Sequence, residues 1–355
     1  MTLFARLALL WGVTALAPTF AATPSWEASP RFETIADAER IVDGIATVLA
    51  QGDSGLIWMG TARGLVRYDG YQLRRYTLGG EAAAAAGNSS FVRSLLVDQR
   101  GLLWMGTDSE GLWRFDPVHE VWTQFTHREQ DGSSISAGAV RAFALGEGGR
   151  IWLGTQGGGL DRLDPATGRF EHVGVAQGLP DTRIYALATD ARGALWVGTW
   201  SGLARCMPAT LRCETVFSHS QGSDLAGEVV SALQVLPDGS VWAGTRRGDL
   251  ARIDPQGDGR WLSRGERRND PVFAFWAGRA DELWVGRTSG IEVRSRSDGS
   301  LRKRLRRDPT RAFGQGGNDV VALLQDRSGW VWFGSYGGGL QRFMVGGAGL
   351  GVWRG

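Results

Sequence analysis

The chain has 355 residues, of which 39 are basic and 37 acidic, so its formal net charge is only +2. This balance gives no electrostatic basis for binding nucleic acid or an anionic membrane surface. Hydrophobic residues make up 43% of the chain and include 16 tryptophans, which is enough for a large buried core. The 53 glycines follow no collagen period and therefore indicate turns and close backbone approaches.

The first 22 residues have the pattern of a secretory signal peptide. Arg6 precedes an apolar run over residues 7–16, and small residues follow around Ala21 and Ala22. The run is shorter than the roughly 18 apolar residues of a membrane-spanning helix, and no later apolar stretch reaches that length. We therefore predict export to the periplasm or the exterior, with no transmembrane span after cleavage. An uncleaved membrane anchor is the alternative.

After a lead-in over residues 23–44, the chain repeats one phrase seven times over residues 45–345. The phrase is Trp-x-Gly, followed a few residues later by Gly-Leu-x-Arg, and its tryptophans lie 42 to 48 residues apart. A period of about 40–50 residues with short strands and turns is typical of propeller blades or a solenoid. The repeated tryptophans are Trp58, Trp104, Trp152, Trp196, Trp242, Trp284 and Trp332.

The fullest copy of the repeat covers residues 92–126 and divides into four short strands. They are predicted at residues 92–97, 102–107, 111–116 and 121–126, each bounded by Gly, Asp or Pro. Four antiparallel strands per repeat form one propeller blade. The sequence therefore predicts an all-β fold, a seven-bladed β-propeller of four-stranded antiparallel blades.

The repeated tryptophan and glycine have predicted structural roles in the second strand of each blade. A large indole at the same point of every repeat is expected to wedge between neighbouring blades and supply much of the interblade burial. The glycine two residues later, such as Gly60 or Gly198, faces the same side of its strand. We expect it to make room for an aromatic ring of the adjoining blade.

An arginine recurs on the third strand and often precedes an aspartate by two residues. Arg and Asp at that spacing share a face, so they are expected to pair or to brace a turn. A ring of arginines that binds an anion is the alternative, which the outer position of third strands disfavours. The arginines are Arg67, Arg114, Arg162, Arg205, Arg252, Arg294 and Arg342, and the aspartates are Asp69, Asp116, Asp164 and Asp254.

Closure of the ring requires a fourth strand for the last repeat, whose own fourth strand is poorly defined. Residues 31–35, in the lead-in, are predicted to serve as this outer strand, which ties the two ends of the ring together and removes an exposed edge. Residues 351–355, within the predicted C-terminal tail over residues 346–355, are the competing candidate.

Cys206 and Cys213 replace two hydrophobic residues that flank a hairpin turn in the preceding repeat, Leu163 and Phe170. Directly opposed positions on antiparallel strands bring Cβ atoms within about 4.5–5.5 Å, close to disulfide reach. We predict a structural disulfide formed in an oxidising compartment. Metal binding lacks further ligands, and a redox pair would more usually be Cys-x-x-Cys.

These phrases resemble the two-component regulator propeller repeat. The resemblance rests on residues 98–107, Asp-Gln-Arg-Gly-Leu-Leu-Trp-Met-Gly-Thr, on residues 190–199, and on residues 55–70. It implies a periplasmic ligand-sensing domain of bacterial signalling proteins. In that family the propeller usually precedes an immunoglobulin-like connector, a membrane helix and a cytoplasmic histidine kinase or diguanylate cyclase. No such output follows the seventh repeat in this sequence, so we expect an input module whose output partner lies outside the chain.

No local motif predicts catalysis. The chain has no phosphate-binding loop, nucleophile elbow or metal-ligand spacing, so we expect no cofactor, no metal and no enzyme activity. A propeller lyase is the alternative, because its residues would come from different blades and leave no local motif. The four histidines, which are expected to be solvated loop residues, are His119, His127, His172 and His219.

The loops between second and third strands vary in sequence within a fixed frame, which is what a binding rim on a rigid scaffold would show. Trp200 and Tyr336 are the strongest candidates, because an exposed aromatic ring can stack on a sugar or a peptide side chain. The candidate ligand-binding residues are Arg63, Asp108, Glu110, Gln156, Trp200, Arg246, Arg247, Arg287 and Tyr336. Interblade candidates are Asn88, Asp181, Asn318 and Asp319.

Three classes of function therefore compete. The favoured interpretation is an exported sensor of a small molecule, glycan or peptide, which signals to a membrane-bound histidine kinase or diguanylate cyclase. A protein-interaction scaffold would show a partner without stabilisation by small molecules, and a lyase needs clustered His, Arg or Tyr at the channel mouth.

Overall fold

The computed structural model describes residues 32–36, 41, 45–85, 90–216, 227–264, 269–278, 281–306 and 319–344. In these ranges seven four-stranded antiparallel sheets follow one another along the chain, and the predicted all-β, seven-bladed β-propeller is confirmed. The predicted signal peptide, the tail over residues 346–355 and the competing strand over residues 351–355 lie outside the described residues.

The strands are numbered along the chain, and the blades are numbered from the first repeat. The innermost strands are β2 (Ala46–Gln51), β6 (Val92–Val97), β10 (Val140–Leu145), β14 (Ile184–Thr189), β18 (Val230–Val235), β22 (Val272–Ala277) and β26 (Val320–Gln325). The second strands are β3 (Ile57–Thr61), β7 (Leu103–Thr107), β11 (Ile151–Thr155), β15 (Leu195–Thr199), β19 (Val241–Thr245), β23 (Glu282–Arg287) and β27 (Trp330–Ser335).

The two outer positions complete each blade. The third strands are β4 (Gly64–Tyr68), β8 (Leu112–Asp116), β12 (Leu160–Asp164), β16 (Gly202–Met207), β20 (Leu250–Ile253), β24 (Gly290–Ser295) and β28 (Gly339–Met344). The outer strands are β5 (Leu73–Tyr76), β9 (Val121–Phe125), β13 (Arg169–Val173), β17 (Arg212–Val216), β21 (Gly259–Ser263), β25 (Leu301–Leu305) and, for blade seven, β1 (Glu33–Ala36). A short helix, α1 (Gly80–Ala85), follows blade one, and 3-10 turns lie at Glu147–Gly149 and Val175–Gln177.

The ring is closed by strands from both ends of the described chain. Each innermost strand contacts the innermost strands of both neighbouring blades, and β26 of blade seven contacts β2 of blade one. Strand β1 pairs antiparallel with β28, with Glu33 opposite Arg342, and it overlaps the closing strand predicted at residues 31–35. Phe32 is buried against Phe333 and Phe343, with ring centroids 5.3 and 5.4 Å away. The outer strand of blade seven is therefore held by both pairing and aromatic packing.

The repeated tryptophans are buried between blades, at the position that the repeat pattern predicts. Trp104 of blade two packs among Val140 and Ile151 of blade three. Trp332 of blade seven packs in the same way among Ile57 and Met59 of blade one, so the contact continues across the closure. Each indole thus buries apolar surface that belongs to the following blade.

The glycine of Trp-x-Gly makes room for the first residue of the next blade's innermost strand, and the expected aromatic ring of that blade is among its nearest contacts only at Gly244 of blade five. A Cβ atom added at Gly154 would lie 2.5 Å from Cγ2 of Ile184, the first residue of β14. At Gly334 an added Cβ would lie 2.5 Å from the carbonyl oxygen of Ala46, the first residue of β2. At Gly244 the nearest atom also belongs to the first residue of the next innermost strand, Cγ1 of Val272 at 2.4 Å, and Cζ of the Phe275 ring lies 3.0 Å from the added Cβ. In the other blades the close contacts are made by backbone oxygens and by small or β-branched side chains.

The recurring arginine lies over the tryptophan in most blades. In six blades it is directly opposite the tryptophan in the strand register, as with Arg205 and Trp196, whose guanidinium carbon lies 5.5 Å from the ring centroid. A cation over an indole face is stabilising. Blade six differs, because Trp284 faces Val293 and the buried Arg294 pairs with Glu292 at 2.9 Å.

The aspartates brace turns. Asp116 accepts hydrogen bonds from the backbone N–H groups of Val118 and His119, at 2.9 and 3.2 Å, in the turn between β8 and β9.

Another aspartate, in the turn before the second strand, binds the repeated tryptophan. Asp98 Oδ2 accepts a hydrogen bond from the indole N–H of Trp104 at 2.9 Å. Asp190 and Asp326 do the same for Trp196 and Trp332. These side chains satisfy polar groups that the packing would otherwise bury unpaired.

Cys206 and Cys213 are directly opposite each other on β16 and β17 and form a disulfide bond. The corresponding pair in blade three, Leu163 and Phe170, is also directly opposite. The alignment of the two hairpins therefore predicted the bridge correctly.

A side chain larger than hydrogen at the interblade glycine is expected to destabilise the ring. A Cβ at Gly198 would lie 2.8 Å from the carbonyl oxygen of Val230, so Gly198→Ala should lower the free energy of unfolding by about 1–3 kcal/mol. Gly132→Ala is the matched control, because no atom lies within 4 Å of its added Cβ. Urea denaturation measures both, and equal effects of the two substitutions would contradict the interlock.

Removal of the disulfide should lower stability without changing the fold. The bridge closes a short loop, with a sequence separation of 7 residues, so the chain-entropy argument gives about 2 kcal/mol. We expect the Cys206→Ser, Cys213→Ser double variant to unfold at lower urea and to keep the far-ultraviolet circular dichroism of the native chain. A variant as stable as the oxidised native chain would rule out a structural role for the bridge.

Candidate functional site

One end of the ring gathers the variable loop positions, and we call this end the mouth. Here the second strands end and the innermost strands begin. In four blades the first loop residue after the second strand donates its backbone N–H to the carbonyl of the residue just before the innermost strand. The bonds join Gln156 to Ala139 at 2.9 Å, Trp200 to Arg183 at 2.9 Å, Arg246 to Val229 at 3.0 Å and Tyr336 to Asp319 at 3.1 Å. These bonds hold the first loop residue beside the entrance of its own blade's innermost strand.

A second set of variable residues lies at the same end. In every innermost strand the pairing register shifts between the first and third residues, which leaves the second residue at an irregularity in the ladder. Such bulges re-aim side chains. The residues at this position are Thr47, Arg93, Arg141, Tyr185, Ser231, Phe273 and Val321.

Arginines of blades two and three share one carboxylate at the mouth. Arg93 donates two hydrogen bonds to Asp108, at 2.7 and 2.8 Å, and Nη1 of Arg141 lies 3.2 Å from the same carboxylate. Arg141 also donates from Nε to Oε1 of Gln156 at 2.8 Å. Nη1 of Arg93 reaches the hydroxyl of Tyr336 in blade seven at 3.5 Å. A continuous polar chain therefore joins blades seven, two and three.

Aromatic rings and arginines of blades four and five continue this arrangement. The rings of Tyr185 and Trp200 have centroids 6.0 Å apart, and Trp200 is 39% exposed. The guanidinium of Arg183 lies 4.6 Å from the Trp200 centroid, and that of Arg246 lies 5.6 Å from the Tyr185 centroid. We define the mouth cluster as Arg93, Asp108, Arg141, Gln156, Arg183, Tyr185, Trp200, Arg246 and Tyr336.

The electrostatics of the mouth cluster are unbalanced toward positive charge. Asp181, which lies beside the cluster, is paired with Arg183, whose hydrogen bond lowers the pKa of the carboxyl to about 2. On the other side, Asp108 is shared between Arg93 and Arg141. Burial lowers the pKa of Arg141, and the charges of Arg93 and Arg246 lower it further, while Asp108 opposes them. Arg93 and Arg141 therefore share one carboxylate, and Arg141 is repelled by the charges of both Arg93 and Arg246.

Arg287 is not a rim residue, and the prediction that it contributes to ligand binding is wrong. Its side chain is fully buried, with Nε 3.0 Å from Glu292 and with Nη1 donating to the carbonyl groups of Gly248 and Asp270. Arg287 occupies the strand position at which the other repeats have a buried Thr or Ser. Its side chain therefore enters the junction between blades five and six instead of the loop.

The remaining predicted residues are separate from the mouth cluster. Arg247 is exposed and pairs with Glu228 at 3.2 Å. Arg63 is exposed in the corresponding loop of blade one, and Glu110 is half-buried beyond Asp108 in the loop of blade two. Asp319 accepts the backbone N–H of Tyr336 through its carbonyl, and burial raises the pKa of its carboxyl, with a contribution from Asp270. Asn88 and Asn318 lie outside the described residues.

Arg93, Arg141 and Tyr185 are functional candidates that the sequence analysis missed. The sequence does contain a pattern that could have identified them. The second residue of the innermost strand varies between Arg, Tyr, Thr, Ser, Phe and Val, while its neighbours remain small or aliphatic. The loops after Gly-Thr were identified by the same logic. The alternation of side chains along a strand does not predict that these residues face the mouth, because the register shift that turns them there has no sequence marker.

The three described histidines do not join the mouth cluster. His119 is exposed in an outer turn beside Asp116, and His127 hydrogen-bonds the carbonyl of Ile135. His172 contacts the buried carboxylate of Asp161 through Nδ1 at 2.7 Å and the carbonyl of Gly132 through Nε2 at 3.0 Å. His219 lies outside the described residues. Among the described residues, no group of three or more His, Cys, Asp or Glu converges as a metal site.

The family model described as two component regulator propeller matches residues 86–109, 178–201 and 314–337. These three segments thus match the repeat that the sequence resemblance indicates. Each matched segment extends from the approach to an innermost strand, through the second strand, to the loop at the mouth. No curated protein matches the chain by sequence.

Several solved structures share the fold. The extracellular domain of a putative hybrid two component system from B. thetaiotaomicron has a TM-score of 0.71 and 24% identity over 88% of this chain and 39% of its own. A second such domain from the same organism has a TM-score of 0.74 and 18% identity over 89% of this chain and 42% of its own. This chain therefore spans about two fifths of the length of these two relatives.

An inactive variant of virginiamycin B lyase from Staphylococcus aureus has a TM-score of 0.69 and 14% identity, over 89% of this chain and 100% of its own. At this identity the similarity concerns the fold. In the ranges that the structure describes, no helix is long and apolar enough to cross a membrane.

The contacts of His172 predict a pH-dependent contribution to stability. Both ring nitrogens face acceptors, and the hydrogen bond to Asp161 is the main cause that raises the pKa of the imidazole. A raised pKa in the folded state stabilises the fold fully below the unfolded value, about 6.5, and this contribution is lost as the pH rises through the folded value.

We therefore expect the stability difference between the native chain and His172→Gln to be largest near pH 5–6 and to shrink at higher pH. Urea denaturation across this range measures it. Asp161→Asn in the native background should remove most of this pH dependence, and a difference that grows with pH would contradict the assignment.

Proposed function

We propose that this chain is an exported ligand-sensing module of a bacterial signal-transduction system, with the mouth cluster as its ligand site. The observation that carries the proposal is the convergence of variable side chains from blades two, three, four, five and seven on one end of the ring. They include the candidates Asp108, Gln156, Trp200, Arg246 and Tyr336. The repeated Trp, Gly and Asp residues that support them form the surrounding frame.

The arrangement suits ligand recognition because its polar groups are already positioned. Arg93 is fixed by two hydrogen bonds to Asp108, and Trp200 is fixed between Arg183 and Tyr185. Side chains locked by such contacts lose little conformational freedom on binding, which increases affinity. The exposed part of Trp200 offers an aromatic face to a ligand.

Export is supported by two features of the chain. Residues 1–22, which lie outside the described residues, have the charged start, apolar run and small-residue exit of a signal peptide. The Cys206–Cys213 bridge is the kind of bond that persists in an oxidising compartment such as the periplasm. The presence of two-component regulator propeller repeats favours a signalling role, and a membrane-bound histidine kinase or diguanylate cyclase is the proposed output partner.

The lyase alternative gains the clustered Arg and Tyr side chains of the mouth cluster, but no described histidine lies among them. A lyase needs acid and base groups at the mouth, whereas the described histidines lie in outer strands, turns and links between blades. A scaffold needs a partner surface, and the polar, partly buried mouth cluster fits a small ligand better than a flat protein surface.

A thermal-shift screen of glycans, peptides and small metabolites tests the proposal. A ligand at a hundred times its Kd stabilises the folded state by about 2.7 kcal/mol, which raises the melting temperature measurably. Trp200→Ala should abolish the shift caused by any specific compound. Tyr71→Ala is the matched control, because Tyr71 is a 94% exposed aromatic residue in the outer turn of blade one, away from the mouth.

The two substitutions separate a mouth site from any other site. A compound whose shift survives Trp200→Ala but disappears in Tyr71→Ala would place the site elsewhere and contradict the proposal. A screen in which no compound of any class stabilises the native chain would also contradict it.

A further inference from the structure

The charge of the mouth cluster points to the class of ligand. Asp108 holds the arginines of blade two and blade three, but the corresponding loop residue in blade three is the neutral Gln156. Arg141 therefore meets an amide oxygen where a carboxylate would have neutralised it. The charge of Arg141 is only partly balanced by Asp108, which Arg93 already binds through both oxygens.

Arg246 adds a cation that no described carboxylate neutralises. Its guanidinium lies over Tyr185, at 5.6 Å from the ring centroid, and it forms no ion pair with a described residue. Its sequence neighbour Arg247 is also exposed but is paired with Glu228. The two adjacent arginines thus differ in the property that matters here, since only Arg246 brings uncompensated charge to the mouth.

The binding of Asp108 shows which group this site can hold. Two parallel hydrogen bonds of 2.7 and 2.8 Å join Arg93 to the two oxygens of the carboxylate, and Arg141 approaches one of them at 3.2 Å. Such two-pronged contacts with guanidinium groups are strong and geometrically selective. A second carboxylate placed beside Arg141 and Arg246 would meet the same chemistry with fewer competing anions.

The aromatic residues define the other half of the ligand. Tyr185 lies beneath the guanidinium of Arg246, and its ring is in turn 6.0 Å from that of Trp200, which remains 39% exposed. A flat or sugar ring can pack against such a surface. We infer that the mouth cluster binds a carboxylate attached to a ring, with the carboxylate between Arg141 and Arg246 and the ring against Tyr185 and Trp200. This inference rests on the proposed function, because it names the ligand class of the same site.

Calorimetric titration with matched pairs of acid and neutral compound tests the inference. The probes are glucuronate against glucose, for a sugar ring, and benzoate against benzamide, for an aromatic ring. We expect at least one acid to bind at low salt, roughly tenfold or more tightly than its neutral counterpart, since a hydrogen bond to a charged group has about that effect. Which pair shows the difference distinguishes the two kinds of ring. Binding should weaken at high salt, which screens charges.

The variants Arg246→Gln and Arg247→Gln provide the matched comparison. Arg246→Gln should weaken binding of the acid roughly tenfold and change thermal unfolding without ligand only slightly, because this arginine forms no ion pair with a described residue and loses only its exposed contact with the Tyr185 ring. Arg247→Gln should bind the acid as the native chain does. Equal weakening by both variants would indicate a diffuse effect of surface charge and would overturn the inference.

Two further outcomes separate this inference from the proposed function. If a neutral compound binds as tightly as its acid, the inferred ligand class is overturned but the mouth remains a ligand site. The same conclusion follows if a compound from the thermal-shift screen loses its effect in Trp200→Ala but keeps it in Arg246→Gln. Absence of binding by both acids would overturn the inference, and absence of binding by every compound in the screen would overturn the proposed function as well.

Discussion

The structure depends on one repeated contact between neighbouring blades. The indole of each second strand packs on the core of the following blade, and the glycine two residues later receives the first residue of that blade's innermost strand. The pair is repeated in all seven blades, including the contact of Gly334 with Ala46 across the closure, so every blade contacts the next one in the same way. The ring is therefore set by local packing at one point of the repeat.

This interlock explains why the mouth can vary. The burial of Trp and the close contact at Gly lie within the strands, so the residue after Gly-Thr and the second residue of the innermost strand carry little of the packing. They are free to differ between blades while the backbone keeps its place. The frame brings side chains of different blades into contact at one end of the ring: Arg141 with Asp108, Arg93 with Tyr336, and Arg246 with Tyr185.

The sequence predicted the architecture well because its period and its turn residues are local signals. It also predicted the Cys206–Cys213 bridge, which follows from aligning two hairpins. The sequence could not predict contacts that depend on the distance between blades. For that reason the expected neighbour of the interblade glycine was an aromatic side chain. Arg287 was misplaced because a strand position was assigned to the loop. Arg141 was missed because a register shift turns it toward the mouth.

The central claim is that a fixed frame presents a ligand site at one end of the ring. Hydrogen–deuterium exchange, measured with and without the compound that stabilises the chain most in the thermal-shift screen, tests it directly. Amides of the central strands should be protected in both states, and ligand-dependent protection should be confined to segments at the mouth, around residues 92–94, 107–111, 139–142, 183–186, 199–202, 245–248 and 335–337. Protection concentrated in the outer strands, or in turns at the opposite end of the ring, would contradict the account.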